Sequence, residues 1–173
     1  GIETITTPVG FKWLSQKMRE NDTILAGEDS GGLSIGEHIP EKDGIFANLL
    51  ILEAICALKK PLCVLKNEII EFSGTNFYQD RVDIKLSSND IKKELLEKFF
   101  EFNHFGPFKV ENTLDIDGIK FFLAKNVEGG CKDKDIGWVL MRESGTEPLL
   151  RFYIEACNKE FLNEIRDFIN SNV

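Results

Sequence analysis

Hydrophobic residues in the first third of the chain recur at helical spacing between short extended segments. Phe11, Leu14 and Met18, for example, lie three to four residues apart, as on one face of a helix. Strands that alternate with helices are typical of an α/β unit built on a parallel sheet. Two short strands make a poor sheet, so we expect this α/β domain to be incomplete at its N-terminus. The predicted elements are a strand at 2–6, a helix at 10–20, a strand at 23–26 and a helix at 44–59.

The predicted helix at 44–59 is apolar on nearly every face, and Asp43 before it is a good N-cap residue. A helix of this kind is expected to be buried between layers. A further helix is predicted at 61–72, with Gly74 as its C-terminal stop. The polar stretch 73–76 is the best linker candidate. We therefore predict two domains, at 1–74 and 75–173.

The pattern after the linker changes to strands with alternating side chains. Leu150, Phe152 and Ile154 share one face of such a strand, with polar residues on the other. The segment 115–118, Asp-Ile-Asp-Gly, lies between two apolar runs and signals a β-hairpin. Together these patterns predict an α+β domain with an antiparallel sheet and two helices on one side. Its predicted strands lie at 81–86, 108–114, 119–124, 137–141 and 149–156, and its helices at 87–103, capped by Ser87 and Asp90, and at 161–169.

Composition and charge narrow the class of partner. The chain has 173 residues, of which 42% are hydrophobic and 29% charged, which is an ordinary globular balance. A net charge of −8 argues against nucleic acid or an anionic membrane as the main partner, although a local pocket can still take a small anion. The four cysteines form no C-x-x-C pair, so we expect no zinc site. No signal peptide or membrane-spanning stretch is visible, and we expect a cytoplasmic protein.

The segment 142–148, Arg-Glu-Ser-Gly-Thr-Glu-Pro, has the chemistry of a phosphate-binding loop. Arg142 offers a planar donor fork, Ser144 and Thr146 offer hydroxyls, and Gly145 lets backbone N–H groups turn inward. The alternative interpretation is a tight hairpin with a surface arginine.

Two further segments carry polar groups suited to a ligand. In 27–32, three glycines allow close approach, and Glu28 and Ser30 can bracket vicinal sugar hydroxyls. The alternatives are a flexible loop or, more weakly, a metal site at Glu28 and Asp29.

In the segment 38–44, Lys42 can contact a phosphate, whereas Asp43 is interpreted as a helix cap and His38 as a surface or structural histidine.

Three motifs in this order resemble those of the α-D-phosphohexomutases, with the phosphoglucomutase/phosphomannomutase branch as the nearest likeness. The resemblance spans nearly the whole chain. The motifs are Thr7–Leu14 (TPVGFKWL), Gly27–Gly32 (GEDSGG) with Lys42–Gly44 (KDG), and Arg142–Pro148 (RESGTEP).

The resemblance implies four domains around a cleft in the full enzyme, with a phosphoserine in the first and a magnesium-binding loop in the second. Neither motif is present here, so we interpret the chain as a C-terminal fragment: most of domain three and all of domain four. We therefore expect it to hold no catalytic residue and no metal ligand. The positions matched to sugar recognition are Glu28, Ser30, Lys42 and Lys12; those assigned to phosphate are Arg142, Ser144, Gly145, Thr146 and Arg151.

The implied function is the interconversion of hexose 1-phosphate and hexose 6-phosphate, with Mg²⁺ as cofactor and a hexose 1,6-bisphosphate as intermediate or activator. The implied partners are the hexose phosphate substrate and the missing N-terminal domains, and the fragment alone is expected to be inactive. Two alternatives remain open. One is a stand-alone, non-catalytic sugar-phosphate-binding module. The other is a phosphoglucosamine mutase, although such relatives usually carry Gln at the position of Asp29 and His at that of Gly32.

Overall fold

A computed structural model of the chain describes residues 3–126, 132–144 and 147–173. The chain divides into two compact units, Gly1–Phe72 and Ser73–Val173, and the boundary predicted after Gly74 falls slightly further along the chain. Each unit has its own helices and strands.

The first unit contains three helices and one short hairpin. Its elements are α1 (Phe11–Glu20), β1 (Leu25–Gly27), β2 (Leu33–Ile35), α2 (Gly44–Leu58) and α3 (Leu62–Ser73). The three predicted helices are thereby confirmed to within one or two residues. Strand β1 overlaps the strand predicted at 23–26 and pairs with β2 in antiparallel register, a hairpin that the sequence pattern does not predict. Residues 3–6, at which the sequence predicts a strand, form none.

Helix α2 is not buried as its composition predicts. None of its residues is buried, and Ile45 and Leu49 are 79% and 58% exposed. The N-cap prediction is confirmed, since the Asp43 carboxylate accepts a hydrogen bond from the Phe46 N–H at 2.9 Å. The apolar residues of α2 therefore form an exposed hydrophobic surface, and no described residue of the unit covers it.

The second unit is the predicted α+β domain. Its elements are β3 (Tyr78–Lys85), α4 (Asn89–Phe100), β4 (His104–Phe105), β5 (Phe108–Asp115), β6 (Ile119–Asn126), β7 (Lys132–Glu143), β8 (Leu149–Ala156) and α5 (Lys159–Ser171). The six strands form one sheet in the order β3-β8-β7-β6-β5-β4, and every neighbouring pair is antiparallel. The short strand β4 is not predicted by the sequence pattern, and α4 ends before it, at Phe100.

One face of this sheet and the two helices enclose the hydrophobic core. The alternation of β8 places Phe152 and Ile154 on that face, where both are almost fully buried. Phe99 of α4 packs on Phe152 with ring centroids 4.8 Å apart, and Ile165 and Ile169 of α5 join the same cluster. The core thus fixes both helices against the sheet, and the polar residues of β8 are left on the opposite face.

The start of α4 differs from the prediction by one residue. Ser88, not Ser87, is the N-cap, and its hydroxyl accepts a hydrogen bond from the Ile91 N–H at 3.3 Å.

Candidate functional site

The first candidate segment is the tight turn between β1 and β2. The Glu28 N–H donates to the Gly32 carbonyl at 2.8 Å, and the Gly31 N–H donates to the Glu28 carbonyl at 2.9 Å. Gly31 has a φ of 92°, a backbone conformation that glycine adopts without strain. These bonds hold the Glu28 backbone in place, so its carboxylate projects from a defined position.

Glu28 and Lys42 meet above Gly32. The Lys42 Nζ lies 3.4 Å from the Glu28 Oε2, and the two side chains are 56% and 16% exposed. A Cβ at Gly32 would lie 2.9 Å from that same oxygen and 3.2 Å from the Lys42 Cδ. The absence of a side chain at Gly32 therefore leaves room for the pair. The arrangement presents a carboxylate acceptor next to an ammonium donor, which suits a polyhydroxylated ligand.

The other two residues matched to sugar recognition are less closely joined to this pair. Ser30 lies in the same turn and is exposed. Lys12 is exposed on α1, with its Nζ 4.8 Å from the centroid of the Trp13 ring. The link from α1 to the turn is Phe11, which is buried and lies 3.5 Å from the position of a Cβ on Gly32.

Asp43 and His38 have the structural roles that the sequence indicates. One carboxylate oxygen of Asp43 caps α2, and the other lies 3.1 Å from the His38 Nε2. The His38 ring stacks on Phe46 with centroids 4.1 Å apart. The hydrogen bond from the Phe46 N–H, and then that from His38, lower the pKa of Asp43 below its usual value of 3.8.

The second candidate segment is the loop between β7 and β8. The Ser144 N–H donates to the Leu149 carbonyl at 2.9 Å, and the Ser144 hydroxyl accepts a bond from the Glu147 N–H at 3.3 Å. These bonds close the loop at its two ends. The predicted phosphate-binding residues Gly145 and Thr146 lie outside the described residues.

Two arginines flank this loop on neighbouring strands. Arg142 of β7 and Arg151 of β8 are directly opposed partners in the antiparallel ladder, so both side chains lie on the same face of the sheet. The Arg151 Nε is buried and finds no hydrogen-bond acceptor among the residues that the structure describes. A buried N–H without an acceptor costs free energy, and a ligand oxygen would remove that cost.

Arg142 also contacts the turn between β5 and β6. Its Nη2 lies 2.9 Å from the Asp117 Oδ2. Gly118 next to it has a φ of 88°, and a Cβ there would lie only 2.2 Å from the Met141 carbonyl. Only glycine lets the turn come so close to β7.

A surface cavity of about 300 Å³ opens beside the ion pair of Arg142 and Asp117, and Gly118 and Met141 also line it. The sequence predicts the hairpin but not this contact. The contact is determined by the register of β6 against β7. Ile119 pairs with Met141, and this brings the turn next to Arg142.

The described residues do not fit a divalent cation. They contain no group of three or more His, Cys, Asp or Glu side chains that could hold a metal ion. Glu28 is engaged by Lys42 and Asp117 by Arg142, so each of these carboxylates already faces a cation. In the same part of the chain, no helix is long and apolar enough to cross a membrane.

Comparison with known proteins assigns both units to one family. Residues 1–72 match the sequence model described as phosphoglucomutase/phosphomannomutase, alpha/beta/alpha domain III, and residues 108–171 match that of the C-terminal domain of the same family. The chain therefore belongs to the phosphoglucomutase/phosphomannomutase family and corresponds to its third and fourth domains. This confirms the family that the three sequence motifs indicate.

Individual relatives agree with this assignment. The chain is 31% identical to the phosphoglucosamine mutase of Finegoldia magna, over 98% of this chain and 32% of that protein. It is 26% identical to the phosphoglucomutase/phosphomannomutase of Thermococcus kodakarensis, over 95% of this chain and 31% of that protein. A crystal structure of a putative phosphomannomutase from Thermus thermophilus matches with a TM-score of 0.68 and 27% identity, covering 95% of this chain and 30% of that one. The chain thus spans about a third of the length of these relatives.

Proposed function

We propose that the chain is the C-terminal part of a phosphohexomutase that interconverts hexose 1-phosphate and hexose 6-phosphate. In this proposal the second unit binds the phosphate that is not being transferred, and the first unit binds the hydroxyls of the sugar. The observation that carries the proposal is the opposed pair Arg142 and Arg151 beside Ser144, in which the buried Arg151 Nε has no hydrogen-bond acceptor among the described residues.

The pair of arginines suits a phosphate dianion for an electrostatic reason. Like charges placed directly opposite each other on a sheet face repel, so an anion between them stabilises the arrangement. Each guanidinium presents parallel N–H donors that match two oxygens of a phosphate. Ser144, Gly145 and Thr146 complete the proposed phosphate site, with a hydroxyl from Ser144 and Thr146 and a backbone N–H from Gly145.

The turn between β1 and β2 suits the sugar. The Glu28 carboxylate accepts hydrogen bonds from ring hydroxyls, while the Lys42 ammonium group, 3.4 Å from that carboxylate, can donate to a hydroxyl or a phosphate oxygen. We assign Ser30 and Lys12 to the same sugar, as weaker contacts. Such contacts orient the substrate without themselves moving a phosphoryl group, and orientation can lower a barrier by several kcal/mol.

The phosphoryl donor and Mg²⁺ are assigned to the parts of the enzyme that this chain does not include, because the described residues do not fit a divalent cation. Mg²⁺ would neutralise charge on the moving group there. The 173-residue chain alone is therefore expected to bind hexose phosphates without converting them.

The test is a coupled assay of the protein encoded by the complete reading frame around this chain. Conversion of glucose 1-phosphate or mannose 1-phosphate by that protein, and none by the 173-residue chain, supports the proposal. A reading frame that encodes only these residues, or turnover by the 173-residue chain free of host enzymes, contradicts it.

Phosphoglucosamine mutase is the second candidate function, and the names of the first relatives favour it. Against it stand Asp29 and Gly32, where such relatives usually have Gln and His. A histidine at position 32 would displace the Glu28 carboxylate, because even a Cβ would lie 2.9 Å from it. Adding glucosamine 1-phosphate to the same assay decides the question: the sugar with the highest kcat/KM identifies the activity.

A further inference from the structure

Lys92 is a buried lysine in a position that the helix pattern assigns to an apolar residue. It lies on α4 four and seven residues before Leu96 and Phe99, on the stripe that faces the core. Its relative exposure is only 8%, whereas the neighbouring Lys93 is exposed. Lysine is almost never buried to this extent unless its ammonium group is paired.

The ammonium group of Lys92 reaches the phosphate loop proposed above. Its Nζ donates to the Ser144 carbonyl at 3.1 Å and lies 3.3 Å from the Glu143 Oε2. These contacts connect α4 to the loop across more than fifty residues of sequence. A positive charge in the first turn of a helix opposes the helix dipole, so this position is unfavourable for a lysine without such partners.

The segment between β3 and α4 also contacts the loop, at its other end. The Leu86 N–H donates to the Pro148 carbonyl at 2.8 Å. The loop is thus held at Ser144 by a side chain and at Pro148 by the backbone, from one segment of the chain. The contact at Pro148 is a backbone hydrogen bond, whereas the contact of α4 with the Ser144 carbonyl is made by the Lys92 side chain.

We propose that Lys92 is a positioning residue for phosphate binding. It donates to the Ser144 carbonyl at the start of the loop and pairs with Glu143, which follows Arg142 on β7. Without it, the Glu143 carboxylate would lose its cation close to the phosphate site, and the Ser144 carbonyl would lose its only side-chain donor among the described residues, while the Ser144 N–H bond to Leu149 would remain. This role rests on the proposed function, since it needs a phosphate at the loop.

The test compares Lys92→Met with Lys93→Met in the 173-residue chain. Both variants remove one positive charge from α4 and keep most of the side-chain stem, but only the first breaks the contacts with the loop. The measurement is the dissociation constant for inorganic phosphate, from the shifts of backbone amide signals in an NMR titration. Lys92→Met is expected to weaken binding about tenfold, which corresponds to about 1.4 kcal/mol. Lys93→Met is expected to bind like the wild type, and Lys92→Arg to recover most of the loss.

Each outcome bears on a different claim. If the wild type binds phosphate and Lys92→Met binds equally well, the role of Lys92 is wrong and the proposed phosphate site stands. If Lys93→Met loses as much as Lys92→Met, the effect is only one of net charge and the positioning role is wrong. If the wild type binds no phosphate, the phosphate site and the role of Lys92 both fail. Should Lys92→Met not fold at the assay temperature, Lys92→Gln is expected to show the same loss of binding and takes its place.

Discussion

Arg142 and Arg151 stand directly opposite each other on β7 and β8, and the Arg151 Nε is buried without an acceptor among the described residues. Arg142 is compensated by Asp117 at 2.9 Å. Two guanidinium groups brought together in this way are stabilised by an anion between them. The proposed phosphate site therefore centres on these two arginines.

Arg142→Ala should weaken phosphate recognition more than Arg142→Lys. A lysine keeps the charge but loses the planar fork, and a hydrogen bond to a charged group contributes about 1.5–3 kcal/mol. In the full-length enzyme the loss should appear as a decrease of roughly 10–150-fold in kcat/KM for the alanine variant. Arg19→Ala is the matched control, because Arg19 is exposed on α1 in the first unit. An unchanged kcat/KM in Arg142→Ala would leave only the tight-hairpin interpretation of the loop.

Asp117→Asn should strengthen phosphate binding by the 173-residue chain. The Asp117 carboxylate competes with phosphate for the Arg142 guanidinium, and a partly exposed ion pair of this kind contributes about 0–1 kcal/mol. We therefore expect up to about a fivefold lower dissociation constant for inorganic phosphate. Asp115→Asn removes the same charge at the end of β5, next to this turn, and should have a smaller effect. Weaker binding by Asp117→Asn would mean that Asp117 orients Arg142 for phosphate instead of competing with it.

Glu28→Gln should weaken the binding of sugar phosphates and leave inorganic phosphate unaffected. The amide keeps the shape of the side chain but loses the charge, at a cost of about 1.5–3 kcal/mol for charge-assisted bonds to hydroxyls. The comparison is between a normal substrate and its 3-deoxy or 4-deoxy analogues in the full-length enzyme. Glu37→Gln, at an exposed position after β2, is the control. An equal penalty on the deoxy analogues and the parent sugar would exclude Glu28 as the residue that recognises these hydroxyls.

Gly118→Ala should destabilise the second unit more than Gly74→Ala does. Both glycines have a positive φ, but a Cβ at Gly118 would lie 2.2 Å from a carbonyl oxygen, whereas at Gly74 it would meet nothing within 4 Å. The two variants share the conformational cost, so their difference measures the close approach, for which we expect about 1–3 kcal/mol. Chemical denaturation of both variants gives the two free energies of unfolding. Equal values would show that the turn can move away from β7 without cost.

Asp43 should make the first unit less stable in acid. Its pKa is lowered in the folded state, first by the hydrogen bond from the Phe46 N–H and then by that from His38. The stabilisation is thus fully present above the usual value of 3.8 and is lost as the pH falls through the lower folded value. Asp43→Ala should therefore have a lower Tm than the wild type at neutral pH, and the difference should shrink below pH 3.8. A difference in Tm that does not change with pH would contradict the capping role of the carboxylate.

Most of the elements could be predicted because their signals are local. The apolar periodicities of α1 and α5 and the alternation along β8 lie within single segments, and each predicts its own burial. Helix α2 shows the limit of such signals. Its composition correctly predicts a helix. Whether that helix is buried depends on the elements that pack against it, and the sequence pattern of a single segment does not show which elements these are.

The candidate site likewise contains residues that local sequence patterns predict and contacts that they do not. Arg142 and Glu28 lie in motifs that the sequence displays, whereas the contact of Arg142 with Asp117 depends on strand register between segments far apart in the chain. Lys92 could have been found, because a lysine on an otherwise apolar helical stripe is itself a signal. Its partner could not, since nothing in the sequence brings α4 next to Ser144.

The central claim of the proposed function is that the second unit binds phosphate at the Arg142 loop and that the first unit binds sugar hydroxyls at the Glu28 turn. The most direct test is an NMR titration of the 173-residue chain that follows the backbone amides of Glu28, Gly32 and Ser144. We predict that inorganic phosphate shifts the Ser144 signal alone, and that glucose 1-phosphate shifts all three signals. Phosphate-induced shifts at Glu28 and Gly32 with none at Ser144, or no shift at any of them with glucose 1-phosphate, would contradict the account.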